Sequence, residues 1–407
     1  MVGLTLVYLC GGVLKMSPKK IIVAGHTCLD VTPDLSAVPE GQFQELLQPG
    51  KLVYTGGFAL STGGAVPNTG LSLHRLGAKV QLIGKIGDDL FGTAVIEKIS
   101  KEAPELVDHL VVDPGSATSI TLILNPPGMD RSFLHYEGAN ATFYASDLPR
   151  AILKEADLFH FGYPSLMRSI YRAEGAELVL ILQRARRAGL TTSLDFSLPD
   201  PTSPAGKVNW PEILANSLPL VDVFVPSAEE LTFLLDRDTY DRMCADPDRG
   251  FLDGVTPKLC HALSERVLDY GVKVVLVKIG HRGIYMRTGE SQVWGKVGRG
   301  LEGLGSEWIN RELWAPALNV RVRATCGAGD AAIAGFLASL VRGADPESAL
   351  RMATAAGALS VGGLDPFSDL VAWEDLHQRV MEGWPALPLD LGEWGWERDR
   401  ENDLWKR

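Results

Sequence analysis

Short runs that are apolar at nearly every position alternate along the chain with longer stretches whose apolar residues recur every three or four places. The short runs fall at residues 21–24, 80–83, 158–161, 191–194, 221–225 and 274–278, and they read as strands buried on both faces. The longer stretches, at residues 71–76, 145–154, 174–188, 227–235 and 259–270, read as amphipathic helices. Alternation of this kind predicts an α/β protein: a mainly parallel central sheet with helices on both faces. No internal repeat is visible.

Two stretches break the pattern. Residues 51–60 and 116–136 have the composition of short antiparallel strands, with Pro126-Pro127-Gly128 as a turn. They predict a small sheet projecting from the main layer. Residues 236–257 and 295–319 are richer in Gly, Trp and charge and read as insertions or long loops. Residues 384–407 are rich in Trp, Pro and acids and read as a peripheral tail.

Composition narrows the function classes. The 407 residues are 46% hydrophobic and 22% charged, which fits a globular chain with a large core. Lys and Arg total 39 against 50 Asp and Glu, a net charge of −11 that disfavours a nucleic acid as partner. A small anion is not disfavoured, because backbone dipoles bind one whatever the net charge. The five cysteines, Cys10, Cys28, Cys244, Cys260 and Cys326, are scattered and form no CxxC pair. They speak against a disulfide framework or structural zinc and suit the cytoplasm. Residues 4–14 are apolar but too short to span a bilayer, and no basic segment precedes them. Leu9-Cys10-Gly11 faintly resembles a lipoprotein cleavage site; the reading taken is that Met16 starts the protein and that residues 1–18 are an extension outside the fold. No later segment reads as membrane-spanning.

The strongest chemical signal is Thr325-Cys326-Gly327-Ala328-Gly329-Asp330, a strand end and tight glycine turn that leads into an apolar helix of small residues. Gly327 and Gly329 let successive N–H groups curl into one hollow, and the helix N-terminus adds partial positive charge, so Gly327, Ala328 and Gly329 form a candidate anion hole. Asp330 beside it can take a proton from an attacking hydroxyl. As a plain helix cap, Asp330 would have no chemistry at all. Gly327 to Ala332 also fits GxGxxA, a dinucleotide fingerprint, but the acid expected about 20 residues on would be Glu347, and Asp345-Pro346 before it reads as a helix start. No GxxxxGK[ST] phosphate loop occurs.

A second constellation lies upstream. Gly63-Gly64 permits close approach to a ligand, Asn68 opens a helix that Gly77 closes, and Asp30 follows the first strand. The carboxyl ends of strands in an open α/β sheet form the ligand crevice, so Asp30, Gly63, Gly64 and Asn68 are candidates to hydrogen-bond a polyol. The plainer readings are that Asn68 caps its helix and Asp30 is a loop acid.

Together these segments resemble the ribokinase-like (PfkB) carbohydrate kinase family. Gly63 to Asn68 and Gly84-Lys85-Ile86-Gly87-Asp88-Asp89-Leu90-Phe91-Gly92 match its first signature, and Thr325 to Asp330 the second. Gly138-Ala139-Asn140, Pro226-Ser227-Ala228-Glu229-Glu230 and Lys278-Ile279-Gly280-His281-Arg282-Gly283 follow in the family's order, so the resemblance spans about residues 20–380.

The resemblance implies a three-layer ribokinase-like fold over residues 19–383, with a β lid from about 31–60 and 116–137. It implies ATP-dependent phosphorylation of a sugar or nucleoside hydroxyl, with Asp330 as general base and the glycine turn as anion hole. Asp30, Gly63, Gly64 and Asn68 would bind the acceptor, and Lys278, Gly280 and Gly283 would line the nucleotide side. Glu230 would act with Mg²⁺ through water. Pairing of lid edges would give a homodimer. Three positions depart from the pattern. Ala324 stands where an Asp helps hold a monovalent cation, which leaves activation by potassium open. Ser227 replaces an Asn near the metal site. Cys326 fills a variable position and reads as a buried packing thiol. These departures leave room for a non-catalytic sugar- or nucleotide-binding regulator on the same fold.

Overall fold

Ile21 and Val23 face one side of a sheet and Ile22 and Ala24 the other, and both pairs are wholly buried. Strand alternation between two covered faces is what the apolar runs require. The computed structural model describes residues 18–41, 48–129, 131–363 and 365–407. The extension expected over residues 1–18, and Met16 as the start, fall on residues of which 1–17 lie outside the described residues.

The first eight strands are β1 (Lys20–Gly25), β2 (Cys28–Pro33), β3 (Phe58–Gly63), β4 (Lys79–Ile83), β5 (Lys85–Gly87), β6 (Val111–Asp113), β7 (Ile120–Leu124) and β8 (Ser132–Tyr136). The rest are β9 (Leu158–Gly162), β10 (Thr191–Leu194), β11 (Val223–Phe224), β12 (Val274–Lys278), β13 (Ile284–Thr288), β14 (Glu312–Ala315), β15 (Glu397–Asp399) and β16 (Leu404–Lys406). The main sheet has ten strands in the order β15-β16-β14-β13-β12-β11-β10-β9-β1-β4. From β12 to β4 the neighbours are parallel; from β12 to β15 they are antiparallel. Helices Ala65–Arg75, Leu90–Glu102, Ala328–Val341 and Pro346–Gly362 cover one face. Helices Ala176–Arg187, Trp210–Ser217, Ala228–Leu235 and Pro257–Leu268 cover the other. The expected three-layer α/β/α arrangement is therefore present.

The projecting sheet has the order β3-β2-β7-β8. It is mixed rather than purely antiparallel, because β2 and β7 run parallel. It also begins earlier than expected, at Cys28, and β3 starts only at Phe58, after a strandless approach. The Pro127-Gly128 turn links β7 to β8, with Gly128 at φ 72°.

Three other expectations change. Residues 236–257 hold helices Arg237–Cys244 and Phe251–Gly254. The first hides from periodicity because it buries Tyr240 alone, and Asp236 starts it by accepting from the Thr239 N–H. Residues 295–319 contain β14, and their tryptophans are packing groups: Trp308 and Trp314 are fully buried, their ring N–H groups donating to the Ala344 and Arg282 carbonyls. The segment read as a tail supplies β15 and β16, which extend the main sheet past β14 and bury Trp396 and Leu404. No described helix is long and apolar enough to cross a membrane.

Candidate active site

Gly327 sits at φ 75° and precedes helix Ala328–Val341 without any side-chain cap. A side-chain-bearing residue pays roughly 1–2 kcal/mol in that left-handed conformation, and a Cβ there would also run into Pro366. The turn exposes the first amides of the helix, which lack intrahelical partners at its positive end. Ala328 N–H makes a long 3.4 Å bond to the Thr325 carbonyl. Residues 327–329 keep partial solvent access, whereas Asp330 behind them is 2% exposed.

Lys278 reaches this turn from the end of β12. A Cβ on Gly329 would lie 3.6 Å from Lys278 Nζ, so glycine leaves room for the ammonium. Nζ donates to Asp195 Oδ1 at 2.6 Å. Burial alone would lower the lysine pKa, but the carboxyl groups of Asp195 and Glu230 outweigh it and keep the ammonium charged. A fixed cation beside the amides of a helix N-terminus is an arrangement suited to an anion, which makes this turn the candidate anion site.

Asp330 is not a cap. Its Oδ2 accepts from Asn68 Nδ2 at 3.1 Å and from the Tyr163 hydroxyl at 2.7 Å, and Oδ1 accepts from Thr69 Oγ1 at 3.0 Å. Burial pushes its pKa up to about 6; the Asp195 charge adds to this, while Tyr163, Lys278 and Asn68 oppose it. The group is ionised at neutral pH yet more basic than an ordinary carboxylate, the range in which a general base works best.

Asn68 does not open its helix. Helix Ala65–Arg75 starts three residues earlier, after Gly64 at φ 92°, and a Cβ on Gly64 would lie 2.5 Å from His26 Nδ1 and 2.6 Å from the His26 carbonyl. The Asn68 side chain is thus free to point at Asp330. Asp30 lies on β2, where Cys28 Sγ donates to Oδ1 at 3.3 Å, and burial raises its pKa to about 6 against the bonds from Cys28 and Thr121. A Cβ on the adjoining Gly63 would collide with the Asp30 carboxylate. Rings of His26 and His135 lie 5.2 Å apart at the lid base, and His26 is 6.2 Å from Tyr163. Burial, with His135 adding to it, holds His26 neutral.

Other candidates are placed differently. Gly280, at φ 50°, and Gly283, at φ 91°, shape the β12–β13 connection, and a Cβ on Gly283 would strike the Ala315 carbonyl. A Cβ on Gly280 would meet Leu252 Cδ1, so local packing also requires glycine at both positions. Glu230 Oε2 accepts from the Ser227 N–H at 2.6 Å, while Ser227 Oγ accepts from the Glu230 N–H at 3.1 Å, a reciprocal cap. Burial, with Asp195 adding, lifts Glu230 to about 8 against the pull of Lys278 and Ser227. Cys326 is exposed, not buried as its position suggested, because it precedes the helix and lies with Thr325 on the exposed approach to the glycine turn. Glu347 lies in a helix that Asp345 caps, which removes the dinucleotide reading.

Two landmarks are structural. Asn140 holds the backbone of Thr27 through paired bonds of 3.1 and 2.9 Å, and Asp89 caps helix Leu90–Glu102 while accepting from Thr118. Arg131, beyond the lid turn, donates to Thr325 Oγ1 at 2.7 Å and brings the lid onto the glycine turn. Thr69, Tyr163 and Asp195 escaped sequence reasoning. Tyr163 and Asp195 directly follow the buried strands β9 and β10, which is the position where acids and donors of an open sheet collect.

Comparison with known proteins shows the family. The pfkB family carbohydrate kinase model matches residues 19–367, so the chain belongs to the PfkB family of carbohydrate kinases and is a phosphotransferase. A 2-dehydro-3-deoxygluconokinase of Thermoproteus tenax is 25% identical over 324 residues, covering 77% of this chain and 83% of that protein. A probable chloroplastic fructokinase of Arabidopsis thaliana is 28% identical over 337 residues, 80% of this chain and 76% of that one. A solved fructokinase with bound ATP from Xylella fastidiosa superposes with a TM-score of 0.64 at 21% identity, covering 90% of this chain and 99% of that one.

Proposed function

We propose that the protein transfers the γ-phosphoryl group of ATP to a primary hydroxyl of a sugar. The carrying observation is that Asp330, buried and raised to about 6, directly follows a glycine turn while residues of the acceptor segment, Asn68 and Thr69, bond to it. In the transfer, the acceptor O–H proton passes to Asp330 as the oxygen attacks the γ-phosphorus in line. The bond from that phosphorus to the β-bridging oxygen breaks, and ADP leaves. The Gly327, Ala328 and Gly329 amides and Lys278 hold the phosphate charge. Asp30, Gly63, Gly64 and Asn68 orient the acceptor, and Gly280 and Gly283 shape the nucleotide side. Positioning and electrostatics supply most of the rate gain. The lid, already tied to Thr325 through Arg131, excludes water.

No group of three acids or histidines that could hold a metal occurs among the described residues. Mg²⁺ usually keeps several waters and binds through substrate phosphates with one or two carboxylates; Asp195 and Glu230 could serve an ion that arrives with the nucleotide, whose positive charge would favour the ionised form of Glu230 that burial otherwise disfavours. Such an ion would neutralise phosphate charge, with Glu230 holding it through water. The names of the relatives favour a sugar over a nucleoside as acceptor. A homodimer through the lid is part of the proposal: β3 and β8 are its edges, and they expose Phe58, Leu60, Phe133, Leu134 and Tyr136. Free cysteines at 28, 244, 260 and 326 suit a cytoplasmic setting.

The test is a phosphorylation screen of sugars, sugar acids and nucleosides with Mg·ATP, with and without K⁺. ADP release dependent on one acceptor class supports the reading. Thermal shifts with ligands but no ADP release would leave only binding.

A further inference from the structure

Tyr163 is built at a cost. It is a tyrosine at φ 62°, ψ 46°, left-handed backbone that favours glycine, directly after β9. Such a conformation is strained for a side-chain-bearing residue and persists where the surroundings demand it. The strain places the ring between His26 and the helix that carries Asp330, and the hydroxyl donates to Asp330 Oδ2 at 2.7 Å. Asn68 bonds the same oxygen, whereas among the described residues Oδ1 receives only the Thr69 hydroxyl. One carboxylate oxygen is thus occupied by two donors and the other is left able to take a proton.

We infer that Tyr163 is a positioning residue which locks the Asp330 carboxylate, directs Oδ1 at the acceptor hydroxyl and holds down the basicity of the group. The inference rests on the reading of Asp330 as general base. The charged and polar groups facing Asp330 are Asn68 and Thr69 from helix Ala65–Arg75, Tyr163 after β9, Asp195 after β10, Lys278 from β12 and Cys326 from its own turn. Of these, the phenol makes the shortest bond to Asp330, and a hydrogen bond to an ionised group stabilises the charged form.

The experiment is the pH profile of kcat/KM for the wild type and Tyr163→Phe, which keeps the ring and loses the donor. In the wild type, activity should fall with acid as Asp330 takes a proton. In Tyr163→Phe the acid limb should move to higher pH by about one unit, a roughly tenfold change in proton affinity, with a lower kcat, because the donor that stabilises the charged carboxylate is gone. A limb that stays in place, or a rise in KM alone, would overturn the inference and mark Tyr163 as a packing or acceptor-binding group. Absence of any acid limb in the wild type, or full activity of Asp330→Asn, would instead overturn the reading of the base.

Discussion

Replacing Asp330 by Asn separates a catalytic role from a structural one, because the two predict opposite changes in stability. Asn keeps the shape. Its amide oxygen can sit where Oδ2 accepts from Asn68 and Tyr163, and its NH₂ can face the Thr69 hydroxyl, which rotates to accept. What is lost is the proton-accepting lone pair. Loss of a general base costs roughly 10²–10⁴ in rate. Stability should move the other way. The carboxylate is buried and its pKa rises from 3.8 to about 6, so the charged form is disfavoured in the folded protein. That penalty is absent below pH 3.8, grows as pH rises towards about 6 and is full above it. A shift of about two units at 1.36 kcal/mol each is worth about 3 kcal/mol at most at pH 7.5. The variant should therefore lose turnover, keep ATP and sugar binding, and melt a few degrees higher than the wild type at pH 7.5, with the gap closing at pH 4. Coupled ADP assays, ligand-induced thermal shifts and melting at the two pH values check each part. Turnover within tenfold of the wild type, or a clear fall in melting temperature, would refute the assignment.

Lys278→Met removes the partner of Asp195 and leaves a carboxylate beside Asp330 and Glu230 with no cation; breaking a buried pair costs about 3–5 kcal/mol, which denaturant titration would register, together with a higher KM for ATP. An unchanged unfolding midpoint would show that the ion pair is not intact in solution. Gly64→Ala places a methyl 2.5 Å from His26 Nδ1 at φ 92°, so acceptor KM should rise and stability should fall by about 1–3 kcal/mol. A variant equal to the wild type in both would mean that the backbone there is not held as described. Truncation after Gly383 removes β15 and β16, bares the β14 edge and uncovers Trp314 beside Trp396. The shortened chain should aggregate or melt well below the full one; identical melting curves would mark the two strands as dispensable.

Which parts of this site were legible in the sequence follows from where the chemistry resides. Backbone chemistry writes itself locally: a turn that must reach φ 75° and admit Lys278 needs Gly327 and Gly329, and both stand out in any reading. Strands covered on both faces are similarly plain, because burial leaves no polar position in β1 or β12 apart from the terminal lysines. Side-chain chemistry assembled across the fold is not written locally. Asp330 meets Thr69 across 261 positions and Tyr163 across 167, and no spacing rule joins them. Asn68 misled for a further reason: asparagine is so favourable as a helix cap that its position near a helix start explained it too easily, whereas Gly64 caps and Asn68 bonds Asp330. The last two strands escaped because a short edge strand such as Glu397–Asp399 is charged like a tail, and only its partner β16, with Leu404 and Trp405 against β14, reveals it. The general consequence is directional. In an open parallel sheet the chemistry collects where buried strands end: Tyr163, directly after β9, bonds Asp330, and Asp195, directly after β10, pairs with Lys278, the last residue of β12, whose charge acts on Asp330.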